Sequence, residues 1–271
     1  MAEVVGAFAV SHIMFNSFRA EEPELVYESY SEIGRRVQAA DPDVVLMISG
    51  DHLLNLGGGI HIPFAVGVSD SWEAFGDMGV PVRERPGHRD FAEGLSAFLA
   101  ENRVDAARLE SEAFRPDHGY MCPMLFNDPD HEMPFVPFHV SGSLEPVPSL
   151  SRCIEVAELI GRYVREVRPA GERVVIEGTG GLSHWLMMEG HGEVAEEFDN
   201  WVLEQFESGN IAALQALTNA EIFEKSGNGG LEVLYWIMAA VAAGPIDSSD
   251  RIFYHPEWDT GLSAIEMKLA S

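Results

Sequence analysis

Short apolar runs that alternate with helix-spaced stretches are the feature that most constrains this fold. Val44–Ile48 contains no polar residue, which predicts a strand that is covered on both faces. A similar run, Val4–Val10, precedes Glu21–Ala40, where apolar residues recur at helical spacing. Because this strand–helix order repeats along the chain, we expect an α/β fold in which helices flank a central sheet.

The same patterns predict the remaining elements. Further strands are expected at Pro63–Val68, Ala106–Ser111, Pro134–Val140, Arg173–Glu177, Arg251–Tyr254 and Leu262–Leu269. Further helices are expected at His88–Glu101, Pro116–Phe126, Ser149–Val167, Val194–Glu207, Ile211–Leu217, Asn219–Glu224 and Leu231–Ala243. The polar segment Ser69–Pro86, with its Gly and Pro residues, is interpreted as an active-site loop. No linker divides the pattern, so residues 1–271 are expected to form a single domain.

Charge and cysteine content narrow the class of protein. Seventeen basic residues stand against 44 acidic ones, a formal net charge of −27, which argues against nucleic-acid binding. The two cysteines form no disulfide framework, as is typical of a reducing cytoplasm. The first residues do not form a signal peptide, and no apolar run approaches the ~20 residues that cross a bilayer. We therefore expect a cytoplasmic protein that does not bind membranes.

Three residues suggest a metal site. His12 and His52 each follow a predicted strand, and ligands of open α/β sheets gather beyond the carboxyl ends of the strands. Glu232 lies in an otherwise apolar segment, where a carboxylate is costly unless it is paired or bound to a metal. Two histidines and one carboxylate are the ligands of non-haem Fe(II) oxygenases. Asp51 precedes His52, and the sequence leaves open whether its carboxylate orients that imidazole.

Two more histidines are candidates for catalysis. His184 follows a strand and a glycine-rich turn, a suitable position for a general acid–base. The turn lacks the lysine and the spacing of a phosphate-binding loop. His118 lies at a predicted helix start, where a role in the site and no role at all are both open. His255 is a weaker candidate for lining a pocket. Serine or cysteine nucleophilic catalysis has no supporting motif.

Taken together, five segments resemble the class III extradiol ring-cleavage dioxygenases. They are Ser11-His12, Gly50-Asp51-His52, Asp117-His118-Gly119, Gly178-Thr179-Gly180-Gly181-Leu182-Ser183-His184 and Gly230-Leu231-Glu232. The resemblance covers nearly the whole chain, and the nearest likeness is to the catalytic β subunit of protocatechuate 4,5-dioxygenase and to gallate dioxygenases. It implies an α/β sandwich with a mixed central sheet flanked by helices.

The resemblance also implies the chemistry. His12, His52 and Glu232 would hold Fe(II), His184 would be the acid–base residue, and His118 would assist in the substrate pocket. The substrate would be a protocatechuate-, gallate- or hydroxypyridone-like catecholic ring, opened beside its diol with both atoms of O2 incorporated. The resemblance further implies a homo-oligomer or a complex with a separate small α subunit.

The substrate end departs from the protocatechuate pattern. His255, Trp258 and Thr260 lie where the family has small polar residues at the carboxylate-binding end of the pocket, and we expect them to line the pocket here. Arg115 is a candidate for binding an anionic group, the alternative being an ordinary surface arginine. Two other functions stay open: a metal-binding member of this fold that is not an oxygenase, and a zinc hydrolase, since zinc also accepts two His and one Glu.

Overall fold

A computed structural model describes residues 1–12, 23–142, 145–256 and 259–270. Its strands are β1 Glu3–Val10, β2 Val44–Ser49, β3 Phe64–Gly67, β4 Ser71–Glu73, β5 Glu84–Pro86, β6 Ala107–Leu109, β7 Phe135–Val140, β8 Arg173–Thr179, β9 Ile246–His255 and β10 Leu262–Leu269. Its α-helices are α1 Pro23–Ala39, α2 Arg89–Glu101, α3 His118–Asn127, α4 Leu150–Arg162, α5 Glu196–Glu207, α6 Ile211–Gln215, α7 Asn219–Ser226 and α8 Val233–Ala243.

Eight of these strands form one mixed sheet in the order β6-β3-β7-β2-β8-β1-β10-β9. The four central strands β7, β2, β8 and β1 are mutually parallel, so their carboxyl ends share one edge. The flanking strands β3 and β10 run antiparallel to β7 and β1. The predicted α/β class with a mixed sheet between helices is confirmed.

Alternate residues of β2 build two separate cores. Val44, Leu46 and Ile48 pack on one face with α2, α4 and α8, and Val45 and Met47 pack on the other with α1 and α3. Because neither face of the strand meets water, the positions from Val44 to Ile48 favour apolar side chains. This explains the uniformly apolar run in the sequence.

The segment predicted as one active-site loop is largely a hairpin. Strands β4 and β5 pair antiparallel within Ser69–Pro86. The turn between them contains Asp77, which contacts His118 at the carboxyl-end edge of the large sheet. Each strand has only three residues, too few for an alternating pattern to be visible. The prediction of a loop was therefore wrong for the strands themselves.

Glu177 on β8 is a fully buried carboxyl group that accepts a hydrogen bond of 2.6 Å from the side-chain amide of Asn127. Burial raises its pKa from 4.5 to about 8, although the hydrogen bond from Asn127 opposes the shift. Between about pH 4.5 and pH 8, the native state therefore keeps a proton on Glu177 that the unfolded chain has released. The stabilising contribution of Glu177 is complete below about pH 4.5 and is lost as the pH rises toward about 8.

Glu177→Gln is expected to be more stable than the parent at alkaline pH, because a glutamine cannot ionise. The difference in unfolding free energy should be small near pH 5 and should grow to a few kcal/mol near pH 9, since each pKa unit is worth about 1.4 kcal/mol. Urea unfolding at both pH values measures it, with Glu112→Gln on an exposed turn as the control. A difference that does not change with pH would contradict the assignment.

Candidate metal centre

The carboxyl ends of the parallel strands bring the predicted residues together. His12 follows β1 by two residues and His52 follows β2 by three. The Ser11 N–H donates to the carbonyl of Ser263, and its hydroxyl accepts from the Ser263 N–H, each at 2.9 Å. This pairing fixes the backbone that presents His12. Glu232 ends a short 3₁₀ turn from which α8 continues.

The Glu232 carboxylate lies between the two imidazoles. Its Oε1 is 3.2 Å from His52 Nε2, and its Oε2 is 3.5 Å from His12 Nε2. Oε2 also accepts a hydrogen bond of 2.7 Å from the Gly181 N–H. All three side chains lie close to the parallel-strand edge, as their positions in the sequence predict, and His12 and Glu232 are buried.

Asp117 is the residue that orients His52. Its Oδ2 accepts from the His52 backbone N–H at 2.8 Å and from Nδ1 at 3.0 Å. Nδ1 therefore carries a proton, which leaves Nε2 directed at Glu232. The carboxylate of Asp51 instead accepts from the backbone N–H groups of Asn55 and Leu56. The question left open by the sequence is thus answered in favour of Asp117.

The electrostatics of the cluster suit a cation. Burial lowers the pKa of His12 to about 3, so its imidazole is neutral. Burial opposes ionisation of Glu232, but the neighbouring histidines outweigh it and hold the pKa of this carboxyl far below its usual value. Burial likewise lowers the pKa of His52, yet Asp117 and Glu232 raise it well above the usual value. The cluster therefore combines anionic oxygens with positions that attract positive charge.

His118 adds a third imidazole to this edge. It begins α3, where the Asp117 side chain caps the helix by accepting from the Gly119 N–H. Its Nδ1 contacts the carboxylate of Asp77, which also accepts from the His118 backbone N–H at 3.0 Å. His12, His52 and His118 each offer a nitrogen, and these nitrogens lie within 4.8 Å of one another. No sequence signal pointed to Asp77, since it lies 41 residues from its partner.

His184 presents one defined nitrogen to the cluster. Its Nδ1 lies 3.1 Å from the Leu182 carbonyl, which can only accept, so Nδ1 carries the proton of the neutral ring. Nε2 is then an acceptor, 4.0 Å from Glu232 Oε2. A Cβ at Gly229 would overlap this nitrogen, so a residue with any side chain there would displace the imidazole.

The predicted substrate residues that the structure describes lie in different surroundings. Thr260 is buried, and its Cγ2 and the His184 ring both lie within 3.0 Å of the position that a Cβ on Gly181 would occupy. The His255 ring stacks on Phe253. Arg115 is 57% exposed and pairs with Glu73 at 3.0 Å, so its guanidinium is engaged at the surface. Trp258 lies outside the described residues.

A family model for the catalytic LigB subunit of aromatic ring-opening dioxygenases matches residues 7–261. The chain belongs to this family. The match spans His12, His52, His118, His184 and Glu232. The expected class of enzyme, an aromatic ring-opening dioxygenase, is thereby confirmed.

Individual relatives share only a low sequence identity with this chain. A 2,3-dihydroxyphenylpropionate/2,3-dihydroxicinnamic acid 1,2-dioxygenase 1 from Pseudomonas putida is 27% identical over 85% of this chain and 87% of its own length. An enzyme of the same name from Escherichia coli (strain 55989 / EAEC) is 24% identical over 86% of this chain and 88% of its own length. The sequence resemblance had instead pointed first to protocatechuate and gallate enzymes.

A solved structure supports the fold alone. An uncharacterized protein from Escherichia coli K12 aligns with a TM-score of 0.65 at 14% identity, covering 96% of this chain and 98% of that one. No helix within the described part of this LigB protein is long and apolar enough to span a membrane.

Proposed function

We propose that this protein is an Fe(II)-dependent extradiol dioxygenase that opens a catecholic ring beside its diol. Both atoms of O2 would enter the product. The observation that supports this most strongly is the Glu232 carboxylate held within 3.5 Å of both His12 and His52. Under this proposal residues 1–271 act as one catalytic domain, and a small aromatic diol and O2 are the substrates.

The residues of the cluster fit a divalent metal ion. Unprotonated imidazole nitrogens and a carboxylate are ligands that iron accepts, and His52 would release its Nε2 proton on binding the metal. His52 is orientated by a carboxylate, as metal-binding histidines commonly are. A buried ionised carboxylate needs a compensating charge, and a cation bound by His12, His52 and Glu232 would supply it. Bound Fe(II) would bring the diol and O2 together and allow electrons to pass between them.

His184 would move the proton. Its unprotonated Nε2 faces the cluster, so it can accept a proton from a substrate hydroxyl and return it later in the reaction. Burial lowers the pKa of His184, which keeps this nitrogen free of a proton at neutral pH. His118, held through its Nδ1 by Asp77 beside His52, would assist in the substrate pocket, where its Nε2 can accept a hydrogen bond from a substrate hydroxyl.

Metal replacement tests the proposed function. The protein would be stripped with a chelator, reloaded anaerobically with Fe(II) or Zn(II), and assayed for O2 uptake on catechols, gallates and dihydroxypyridines. We expect uptake and a ring-opened chromophore with Fe(II) alone. Hydrolytic activity with Zn(II) would instead indicate a zinc hydrolase. Tight metal binding with no turnover of any ring would favour either a binding protein of this fold or an enzyme that lacks its small subunit. Measuring the size of the native complex would detect such a subunit.

Asp199 is well placed to position His184. The adjacent Ser183 donates its backbone N–H and its hydroxyl to the Asp199 carboxylate, both at 2.8 Å. The Tyr254 hydroxyl donates to the same carboxylate at 3.0 Å. The segment that ends in His184 is therefore tied to α5 and β9 through one buried side chain.

Asp199→Ala is expected to lower kcat by about tenfold or more without weakening metal binding, because small displacements of a reacting group are costly. Asp199→Asn keeps an acceptor for the Ser183 N–H and should retain more of the turnover. Glu197→Ala, an exposed change on the same helix, is the control. Kinetics and metal titration on folded protein decide the matter, and unchanged kcat in Asp199→Ala would exclude a positioning role.

A further inference from the structure

A cavity of about 270 Å³ adjoins the proposed metal ligands. His52 and Glu232 contribute to its lining, together with Leu53, Leu186 and Met187, and with Asn228 and Gly229. Its volume lies slightly below the roughly 300–1,000 Å³ that is usual for ligand sites. It therefore suits one aromatic ring with a modest substituent.

The described lining of this cavity contains no arginine or lysine. Its one carboxylate is Glu232, and the carboxylate of Asp117 lies directly behind His52. A negatively charged substituent that lies against the side of the cavity away from His52 would thus meet no cationic side chain among the described residues of the lining. The net charge of −27 adds a repulsive field for anions. The apolar edge and the net charge therefore favour a ring substituent that carries no carboxylate.

The three large apolar residues of the lining are held at the protein surface. Leu53 is 44% exposed, Leu186 46% and Met187 97%. Met187 has a φ of +55°, a left-handed conformation that is uncommon for a residue with a side chain. Such backbone strain persists where surrounding contacts hold the chain in place. Exposed apolar side chains beside a cavity favour an apolar ligand.

Hydrogen bonds fix this apolar edge in advance. The Leu186 N–H donates to the Asn228 side chain at 2.8 Å, and the Asn228 amide donates back to the Leu186 carbonyl at 3.1 Å. The His191 ring also bonds to the Trp185 carbonyl at 2.8 Å. Because this segment follows His184 directly, these bonds hold the apolar edge in a fixed position relative to the proposed acid–base residue.

We infer that Leu53, Leu186 and Met187 determine substrate specificity and select a catechol whose ring substituent is uncharged and apolar. The inference rests on the proposed function, since it assigns the substrate class of the same site. It departs from the Pseudomonas and Escherichia relatives, whose names specify an acidic side chain on the ring. The substituent would lie against the three apolar side chains, and the diol would face His52 and Glu232.

A matched pair of substrates tests the inference. 3-Propylcatechol and 2,3-dihydroxyphenylpropionate share the ring and the chain position and differ in the carboxylate. We expect kcat/KM to be about tenfold or more higher for 3-propylcatechol, and its Kd for the metal-loaded protein to be lower by a similar factor. Equal values, or a preference for the carboxylate, would overturn the inference.

Variants of the apolar edge make the test specific. Met187→Arg should narrow or reverse the preference, measured as the ratio of kcat/KM for 3-propylcatechol to kcat/KM for 2,3-dihydroxyphenylpropionate. Met188→Arg adds the same charge at the next residue, outside the described lining. It should leave the ratio of the two kcat/KM values near that of the parent. If both variants changed this ratio equally, the long-range electrostatic field of the protein would account for the preference, and the inference would be overturned.

Unsubstituted catechol separates this inference from the proposed function. If no catechol is cleaved, the proposed function fails, and the ratio of the two Kd values still decides which substituent the cavity prefers. If catechol is cleaved but the two substituted rings do not differ, only the specificity inference fails.

Discussion

Glu232→Ala is expected to abolish tight metal binding while the fold survives. Glu232 is the carboxylate that contacts both His12 and His52, so its removal leaves two imidazole donors and takes away the anionic ligand. Loss of a residue that merely orients a ligand typically costs 10–100-fold in metal affinity, and loss of a ligand should cost more than about 100-fold. Titration of the stripped protein with Fe(II) under anaerobic conditions measures it.

Two controls accompany this variant. Glu232→Gln keeps the shape and the acceptor for the Gly181 N–H but removes the charge, so it should also bind metal weakly. Glu177→Gln changes another fully buried carboxyl and should bind metal normally. If folded Glu232→Ala bound Fe(II) with the parent's affinity, the assignment of the three ligands would be wrong.

His184→Phe is expected to retain the metal and lose ring cleavage by about 10²–10⁴-fold, the usual contribution of a general acid–base group. Phenylalanine keeps an aromatic ring in the space beside Gly229 and removes the nitrogen that faces Glu232. Because the close contact with Gly229 makes a larger ring demanding, His184→Gln is the second variant. Stopped-flow turnover at saturating substrate, with metal content measured in parallel, reports the effect.

The pH profile sharpens the same prediction. Burial lowers the pKa of His184 below 6.5, so the base form persists on the acid side of that value and activity should decline only at lower pH. In His184→Gln this acid limb should disappear from the residual activity. Parent-like turnover in both variants would remove His184 from the acid–base role.

The sequence pattern predicts the fold and the positions of the three proposed ligands for the same physical reason. Burial on both faces makes β2 apolar from Val44 to Ile48, with Ser49 as its last residue, so His12 and His52 stand out where strands end. Glu232 stands out because every other residue from Leu231 to Met238 is apolar or aromatic. Parallel strands then bring their ends to one edge without further information. Local pattern is therefore sufficient to bring candidate residues together when they come directly after a buried element.

The residues that orient this site were not predictable in the same way. Asp117 was visible only as part of a motif, and its bond to His52 spans 65 residues. Asp77 lies in a hairpin turn whose strands are too short to show a period. The apolar edge at Leu186 and Met187 belongs to a loop whose geometry depends on Asn228, 42 residues away from Leu186. Such contacts depend on tertiary structure rather than on spacing in the sequence.

Isotope incorporation tests the central claim most directly. The Fe(II)-loaded protein would turn over a catechol under ¹⁸O₂, and the ring-opened product would be analysed by mass spectrometry. Extradiol cleavage at this site predicts two labelled oxygen atoms in each product molecule, with the ring opened beside the diol rather than between its hydroxyls. A product that carries no label, or that is cleaved between the hydroxyls, would contradict the account.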